Sequence, residues 1–251
     1  MPHSSEASLS SYHLVWSDEF NGQNGNTIDP SKWNTMVSEN NSNNELEYYT
    51  NHAPNASLDG RGHLIIRAIK EDLGSRNYTS ARLNTAGKFE QTYGKFEARI
   101  KLPFGNGIWP AFWLLGNNIK QVGWPTCGEI DIMENIGKEP NINHGSMHGP
   151  GYNGSHSMTD KYSLSSGSKL SDNYHLYAIE WEPNVVRFYL DDILYSAKTP
   201  ANMPPGGKWI FDHPMYLILN VAVGGNWPGS PNNSTQFPAE MIVDYVRVYQ
   251  Y

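Results

Sequence analysis

A chain of 251 residues with a formal net charge of −7 and 17% charged residues lacks the basic character that attracts nucleic acids or anionic membranes. Aromatic residues make up 12% of the chain, which supplies rigid rings that can fill a core or stack on sugars. The single cysteine, Cys127, excludes an intrachain disulfide, and the sequence contains no run of about 18 apolar residues that could span a membrane.

The spacing of turn residues predicts the fold class. Gly, Pro, Asn and Asp clusters recur about every dozen residues without an amphipathic helix between them, which favours an antiparallel all-β sandwich. All-β chains of this length commonly form one domain, so residues 12–251 are expected to be a single domain. Residues 1–11 lack the charged and apolar regions of a signal peptide and are interpreted as a polar leader that need not be ordered.

The N-terminal half contains three predicted strands and one notable loop. Residues 15–20 and 64–69 are apolar segments that end or begin at turns, and residues 93–102 alternate apolar with charged side chains. Alternation of this kind predicts one face in the core and one in solvent. Between the first two strands, the polar cluster at 40–44 leads into 45–49 and predicts a loop that overhangs a cleft.

The next predicted strand, residues 109–115, is apolar on both faces. Alternation places Trp109, Ala111 and Trp113 together as a shallow aromatic floor, with residues 110, 112 and 114 on the opposite face. Because both faces are apolar, a place for the two tryptophans in the core is the competing interpretation.

Residues 129–134 form a strand that carries three carboxylates, Glu129, Asp131 and Glu134, among isoleucines and a methionine. Glu129 and Asp131 share a face, whereas strict alternation puts Glu134 among the isoleucines, where an unpaired ionised carboxylate is very costly. A one-residue β-bulge near Met133 would return Glu134 to the face of the other acids. The sequence therefore predicts a bulge and a single row of acids beside a cleft.

The spacing of this row fits hydrolysis of glycosidic bonds. Retaining glycosidases hold two carboxyl groups about 5 to 5.5 Å apart, and Glu129 and Glu134 can reach that separation when their side chains lean together. Asp131 between them would hydrogen-bond the nucleophile and keep Glu134 protonated through like-charge repulsion. A solvated polar strand face and a divalent-cation site made of the three acids are the alternatives.

Two histidines and the only cysteine lie near this row in the sequence. His144 and His148 are four strand positions apart, roughly 13 Å along the backbone, which is too far to share one metal ion. His148 is therefore expected beside the acids. Cys127 is expected to pack as a small core residue, because neighbouring acids raise the pKa of a thiol.

The C-terminal half adds further strands. Residues 152–167 show no pattern and are predicted to form a loop, and residues 174–181 and 185–191 are predicted to form a hairpin. Strands at 215–223 and 242–249 follow. Asp244 is expected on the apolar face of the last strand, where it needs a cation, a backbone donor or an arginine as partner.

The chain resembles glycoside hydrolase family 16, and within it the laminarinase-type endo-β-1,3-glucanases. Residues 129–134 read Glu-Ile-Asp-Ile-Met-Glu, the family's E-I-D-x-x-E signature in its bulged form. Matching segments spread over most of the chain, at 16–20, 44–50, 107–114, 226–229 and 244–249. The resemblance implies a concanavalin-like β-jelly roll of two curved antiparallel sheets with a cleft on the concave face.

The resemblance also implies roles for individual residues. Glu129 would be the nucleophile, Asp131 its helper and Glu134 the acid/base of a retaining endo-β-1,3-glucanase that needs no cofactor for catalysis. Residues implied to line the sugar-binding cleft are Asn44, Arg82, Trp109, Trp113, Trp124, His148 and Trp227. A structural calcium would be bound by Glu19, Gly60 and Asp244. The competing interpretations are a surface salt bridge for Arg82 and a solvated acid for Glu19. Relatives commonly have glutamine at the position of Glu47.

Other functions fit the same shape. A non-catalytic glucan-binding lectin, an enzyme for mixed-linkage β-1,3-1,4-glucan and an enzyme for a marine galactan are the alternatives. The presence of both glutamates favours an enzyme, and the acidic balance favours a neutral glucan over a sulfated galactan. We expect a secreted monomer whose partner is β-glucan, with neither nucleic acid nor membrane, because a polysaccharide cannot enter a cell intact.

Overall fold

The computed structural model describes residues 12–39, 41–165 and 167–251, so the predicted leader at 1–11 lies outside the described residues. The strands are β1 (His13–Asp18), β2 (Asn34–Thr35), β3 (Glu47–Tyr49), β4 (Ala56–Leu58), β5 (Leu64–Ala68), β6 (Tyr78–Ser80), β7 (Arg82–Asn84), β8 (Gly94–Lys101), β9 (Ile108–Gly116), β10 (Glu129–Glu134), β11 (Ile142–His148), β12 (Met158–Ser163), β13 (His175–Glu182), β14 (Val185–Leu190), β15 (Ile193–Lys198), β16 (Met215–Val223) and β17 (Ala239–Gln250). The helical segments are α1 (Ile119–Val122) and the 3-10 turns Ser42–Asn44, Gly154–His156 and Pro200–Asn202. Within the described ranges, no helix has the length and apolar character needed to cross a membrane.

Two large antiparallel sheets make up the fold. The first has the order β15-β14-β13-β8-β17-β5-β4, with β1 also paired to β17, and the second has the order β12-β11-β10-β9-β16-β7-β2. A small parallel pair joins β3 to β6. This architecture confirms the β-jelly roll expected from the sequence.

One apolar core fills the space between the two sheets. From β8 of the first sheet, Phe96 and Ile100 are fully buried, and from β9 of the second sheet, Phe112 and Leu114 are fully buried against them. Burial of each such side chain contributes about 1.5–3 kcal/mol of hydrophobic stabilisation. Because every second side chain of β9 is used in this way, the alternate ones are left for the opposite face of the sheet.

The predicted strands occur close to their expected positions. The strand at 215–223 has the predicted bounds, the hairpin is formed by β13 and β14, and the final strand extends over Ala239–Gln250. The prediction of a loop throughout 152–167 is wrong, because β12 pairs with β11 along six positions. β12 is an edge strand with mostly exposed polar residues, so its sequence carries no apolar alternation.

Asp244 does not share the buried face of β17 as predicted. The register of β17 against β8 shifts between Val243 and Tyr245, so a bulge turns the Asp244 side chain away from the core. Its carboxylate oxygen Oδ2 lies 2.5 Å from Nη1 of Arg99, and its other oxygen lies 4.0 Å from Nε2 of His63. An arginine is thus the partner of this acid, which is one of the three partners considered from the sequence.

Candidate active site

The bulge predicted near Met133 is present on β10. Between Asp131 and Met133 the register of β10 against β9 shifts by one residue, and the register against β11 shifts over the same stretch. Ile132 and Met133 both pack into the core. Glu134 consequently points to the same side of the sheet as Glu129 and Asp131, and all three carboxylates line one cavity.

This cavity of about 270 Å³ crosses four neighbouring strands of the second sheet, β10, β9, β16 and β7. It contains the row of acids at one side and a loop from the N-terminal part of the chain at the other. The lining residues are Ser42, Asn43, Glu45, Arg82, Trp109, Ala111, Trp113, Leu115, Ile119, Trp124, Glu129, Asp131, Glu134, Asn220 and Ala222. We call this cavity the cleft.

Glu129 is surrounded by N–H groups that favour its charged form. Nε1 of Trp124 donates a hydrogen bond to Oε2 of Glu129 at 2.9 Å, and Nε2 of His148 lies 3.7 Å from Oε1. Burial and the charge of Asp131 nevertheless raise the pKa of Glu129 to about 8. The two donors therefore offset only part of the cost of a charge on Glu129 in the cleft.

Glu134 is held in its neutral form. Burial raises the pKa of Glu134 well above the ordinary value, and the negative charges of Asp131 and Glu129 raise it further. Nε1 of Trp109 donates a hydrogen bond to Oε1 of Glu134 at 3.0 Å and fixes the direction of the carboxyl group. A neutral carboxyl group at Glu134 is the form that a general acid needs, and the acid/base role of Glu134 stays a prediction.

Asp131 lies between the two glutamates and is almost fully buried. It shares a hydrogen bond with Glu129, and burial raises its pKa. Oδ2 of Asp131 lies 2.9 Å from Nε2 of His148, although the angle does not make a directed hydrogen bond. Nδ1 of His148 accepts a hydrogen bond from the backbone N–H of Gly154, which leaves the proton of the neutral ring on the nitrogen that faces the acids. His148 is therefore a neighbour of the acids, as predicted.

The aromatic floor is also present. Trp109, Ala111 and Trp113 all face the cleft, whereas their alternate neighbours are core residues, so the interpretation of the two tryptophans as core rings is wrong. The Arg82 guanidinium lies 4.7 Å above the Trp113 ring in a cation–π contact, rather than in the surface salt bridge that was the alternative for Arg82. Arg82 therefore packs on the Trp113 ring and supports the aromatic floor.

Asn44 and Trp227 are not among the residues that line the cleft. Asn44 is exposed, and its Nδ2 donates to Oδ1 of Asn226 at 2.8 Å, whereas its neighbour Asn43 lines the cleft. The Trp227 ring meets the cleft residue Trp109 edge to face, with centroids 5.4 Å apart. Contact of Asn44 and Trp227 with a ligand stays a prediction.

Sequence reasoning missed Asn220, Asn43 and Glu45 as cleft residues. Oδ1 of Asn220 accepts a hydrogen bond from Nε1 of Trp113 at 2.8 Å and so orients the floor. Asn220 is the one polar side chain in the apolar strand β16, and this isolation was a usable signal. Asn43 and Glu45 come from a loop whose path depends on tertiary contacts.

Cys127 is a core residue, as predicted. It is fully buried and packs with Leu115 and Ile218. Burial and the neighbouring Glu129 raise the pKa of its thiol to about 11, which keeps it protonated.

Two groups of side chains bear on metal binding. Donor atoms of Glu129, Asp131 and His148 all lie within 4.8 Å of one another. The predicted calcium ligands are different: Glu19 makes two hydrogen bonds of 2.9 Å with Arg247, and Asp244 pairs with Arg99. Both carboxylates are therefore engaged by guanidinium groups, and the third predicted ligand, Gly60, has only backbone atoms to offer. As arranged here, these side chains do not form a calcium site, and calcium stays a prediction.

Known proteins resemble this chain over most of its length. The family model described as glycosyl hydrolases family 16 matches residues 26–247. A beta-glucanase of Rhodothermus marinus is 42% identical over 96% of this chain and 86% of its own length. Glucan endo-1,3-beta-glucosidase A1 of Niallia circulans is 35% identical over 98% of this chain, which spans 39% of that longer protein. Among solved structures, the catalytic domain of an endo-1,3-beta-glucanase (laminarinase) from Thermotoga petrophila RKU-1 has a TM-score of 0.90 and 47% identity, and covers 96% of this chain and 98% of that one.

The raised pKa of Glu129 predicts a specific pH dependence of stability. The folded protein keeps the Glu129 proton to about pH 8, whereas the unfolded chain loses it near the ordinary value. The stabilising contribution is therefore complete below about pH 4 and is lost as the pH rises through 8. Glutamine does not ionise. The free energy of unfolding of Glu129→Gln minus that of wild type should therefore increase by about 1–3 kcal/mol as the pH rises from 5 to 9.

Urea unfolding at several pH values measures this difference. Asp212→Asn is the matched control, because its carboxylate lies outside the cleft and is 72% exposed. The control should follow wild type across the range. If this difference in free energy of unfolding stays constant or falls as the pH rises, the raised pKa of Glu129 is contradicted.

Proposed function

The chain belongs to glycosyl hydrolase family 16, and from this premise we propose that it is a retaining endo-β-1,3-glucanase acting on laminarin-type glucan. The observation that carries the proposal is the bulge that turns Glu134 into the cleft with Glu129 and Asp131. The names of the relatives, beta-glucanase and endo-1,3-beta-glucanase, support the choice of linkage.

The proposed reaction is a double displacement. The ionised carboxylate of Glu129 forms a bond to the anomeric carbon while the glycosidic C–O bond breaks and the leaving oxygen takes the proton of Glu134. Water then attacks the anomeric carbon, Glu134 takes a proton from that water, and the bond to Glu129 breaks. The N–H groups of Trp124 and His148 support Glu129 each time it carries its charge.

The remainder of the cleft supplies binding. The rings of Trp109 and Trp113 offer apolar surface for the C–H faces of glucose rings, with Arg82 already packed against one face of Trp113. Arg82 and Asn220, which brace that floor, are also the polar groups within reach of sugar hydroxyls. A mostly neutral, aromatic floor with few charges suits an uncharged polysaccharide.

Hydrolysis of a panel of laminarin, lichenan, agarose and carrageenan tests the substrate and the cleavage mode together. We expect laminarin to be degraded to a series of oligosaccharides, with slower or no degradation of the galactans. Preferred cleavage of agarose or carrageenan would contradict the β-glucan assignment. Binding of laminarin without any release of reducing ends would instead identify a lectin.

The two glutamates should respond differently to substitution. Glu129→Ser should abolish hydrolysis of every substrate, because no nucleophile remains. Glu134→Gln should lower kcat on laminarin by about 10²–10⁴-fold, the usual contribution of a general acid. It should lose much less on an aryl glycoside, whose leaving group departs without protonation.

Steady-state kinetics on both substrates measures the difference. Glu240→Gln, which changes an acid paired with Arg67 on the first sheet, serves as control and should retain wild-type kinetics. Substantial activity in Glu129→Ser would contradict its role. Inhibition of wild type by a chelator would favour the alternative in which Glu129, Asp131 and His148 hold a cation.

The calcium prediction concerns stability rather than turnover. For a cation to bind between Glu19, Gly60 and Asp244, a carboxylate would have to exchange its arginine for the ion. If it does, added calcium should raise the Tm of chelator-treated protein by a few degrees, and Asp244→Asn should remove that rise. An unchanged Tm in wild type would contradict a site at these residues.

Secretion and a monomeric state follow from the proposed function as further proposals. An intact polysaccharide cannot cross a membrane, so the protein would meet its substrate outside the cell. A complete cleft is formed by residues of one chain, which supports activity as a monomer.

A further inference from the structure

Two more buried carboxyl groups lie at the side of the cleft opposite the row of acids. Glu47 is fully buried on β3, and Glu45 is almost fully buried just before it, where it lines the cleft. Their carboxyl groups lie close enough to each other to share a proton. The neighbouring cleft residue Arg82 lies on β7, three strands from the acid row, which is roughly 14 Å away at the usual strand spacing.

The two carboxyl groups can share a hydrogen bond only while one of them carries a proton. Burial and the charge of Glu45 raise the pKa of Glu47 to about 8, and burial raises that of Glu45. Among the described residues, three titratable groups face the pair. Arg82 from β7 favours a charge on Glu45, the Tyr49 hydroxyl from β3 lies 3.4 Å from its Oε2, and Nη1 of Arg76 donates to the backbone carbonyl of Glu45 at 3.2 Å. The pair is thus arranged to hold one negative charge and one proton.

The pair ties the cleft loop, residues 41–47, to β16. Oε2 of Glu47 accepts a hydrogen bond of 2.6 Å from the backbone N–H of Val223, and its Oε1 accepts one of 2.8 Å from Nδ2 of Asn41. Oε1 of Glu45 accepts from Nδ2 of Asn43 at 3.3 Å. Ser42, Asn43 and Glu45 of this loop form a wall of the cleft.

A chain of hydrogen bonds connects this pair to the aromatic floor. The Tyr49 hydroxyl contacts Glu45, Nδ2 of Asn220 donates to the Tyr49 oxygen at 3.2 Å, and Oδ1 of Asn220 accepts from Trp113 at 2.8 Å. The state of the pair can therefore affect both the wall and the floor at this side of the cleft, away from the carboxylates that break the bond.

We propose that Glu45 and Glu47 are positioning residues whose shared proton holds the cleft loop in place to bind the part of the glucan farthest from the acid row. Loss of this proton at alkaline pH leaves two adjacent carboxylates that repel each other. The backbone hydrogen bond from Leu46 to Val223 remains, but the side-chain contacts that position the cleft loop weaken, and substrate binding weakens with them. The inference rests on the proposed glucanase function and adds a pH dependence of substrate binding that is separate from the titration of the acid row.

The test compares KM for laminarin in wild type and Glu47→Gln between pH 6.5 and 9.5. The glutamine amide carries no charge at any pH and can donate to Glu45, although its single oxygen keeps only one of the two hydrogen bonds that the Glu47 oxygens accept from Val223 and Asn41. Titration of the acid row affects both proteins alike, so the difference between them reports on the pair. We expect KM of wild type to rise roughly fivefold or more relative to KM of Glu47→Gln over this range, as for the loss of one hydrogen bond. The same rise in both proteins, or no rise in wild type, overturns the proposal.

Glu39→Gln is the matched control. Its carboxylate lies next to the cleft loop but contacts Ser75 rather than Glu45 or Glu47, so its KM should follow wild type at each pH. A short oligosaccharide that does not reach the cleft loop should show no difference between wild type and Glu47→Gln. A Glu39→Gln protein with a constant KM would show that any lost charge near the loop has this effect, and would overturn the proposal.

A binding measurement covers variants that fail to fold or to turn over. Calorimetric titration of Glu129→Ser with long laminari-oligosaccharides should show affinity falling with pH, and the fall should be absent when Glu45→Gln or Glu47→Gln is added. Wild type that hydrolyses laminarin at no pH would refute the proposed function. Active wild type with a pH-independent affinity in Glu129→Ser would refute only this inference.

Discussion

The cost of burying a carboxylate governs how this molecule is built. β10 carries three acids in six residues, and its alternate side chains are core isoleucines. Without the shift in register at Ile132 and Met133, one acid would lie in the apolar core, where its charge could not be compensated. The bulge instead puts both apolar residues in the core and all three acids in the cleft. Packing and chemistry are thereby satisfied by the same backbone irregularity.

The two faces of β9, the strand next to the acids, also have different roles. On β9, alternate residues either close the core or form the aromatic floor, so the floor is held by the same packing that stabilises the sheets. Trp109 reaches from that floor to Glu134, and Trp113 is oriented by Asn220 and covered by Arg82. The geometry presented to a sugar is therefore already set by the protein interior, which lowers the entropic cost of ordering the site on binding.

Two buried carboxyl systems lie at opposite sides of one cleft, and burial raises pKa values in both. In the acid row, each glutamate accepts one tryptophan N–H, from Trp124 for Glu129 and from Trp109 for Glu134, and these bonds orient the two carboxyl groups in the cleft. In the pair formed by Glu45 and Glu47, no bond-breaking group is nearby, and the raised pKa instead favours a shared proton that joins a loop to β16. Burial thus raises carboxyl pKa values at both sides of the cleft, in the proposed catalytic residues at one side and in residues proposed to position the cleft loop at the other.

Local patterns in the sequence were enough for the strands of strong alternation, for the bulge at Met133 and for the row of acids, because these follow from period-two side-chain placement and from the cost of burying charge. The edge strand β12, the bulge that turns Asp244 outward and the cleft residues Asn43, Glu45 and Asn220 were decided by tertiary structure. An edge strand needs no apolar face, and Asp244 takes Arg99, which is distant in sequence, as its partner. The sequence alone thus determined which strands form and which residues are acidic and aromatic, whereas the pairing of distant strands decided which of them meet in one cleft and how their protons are shared.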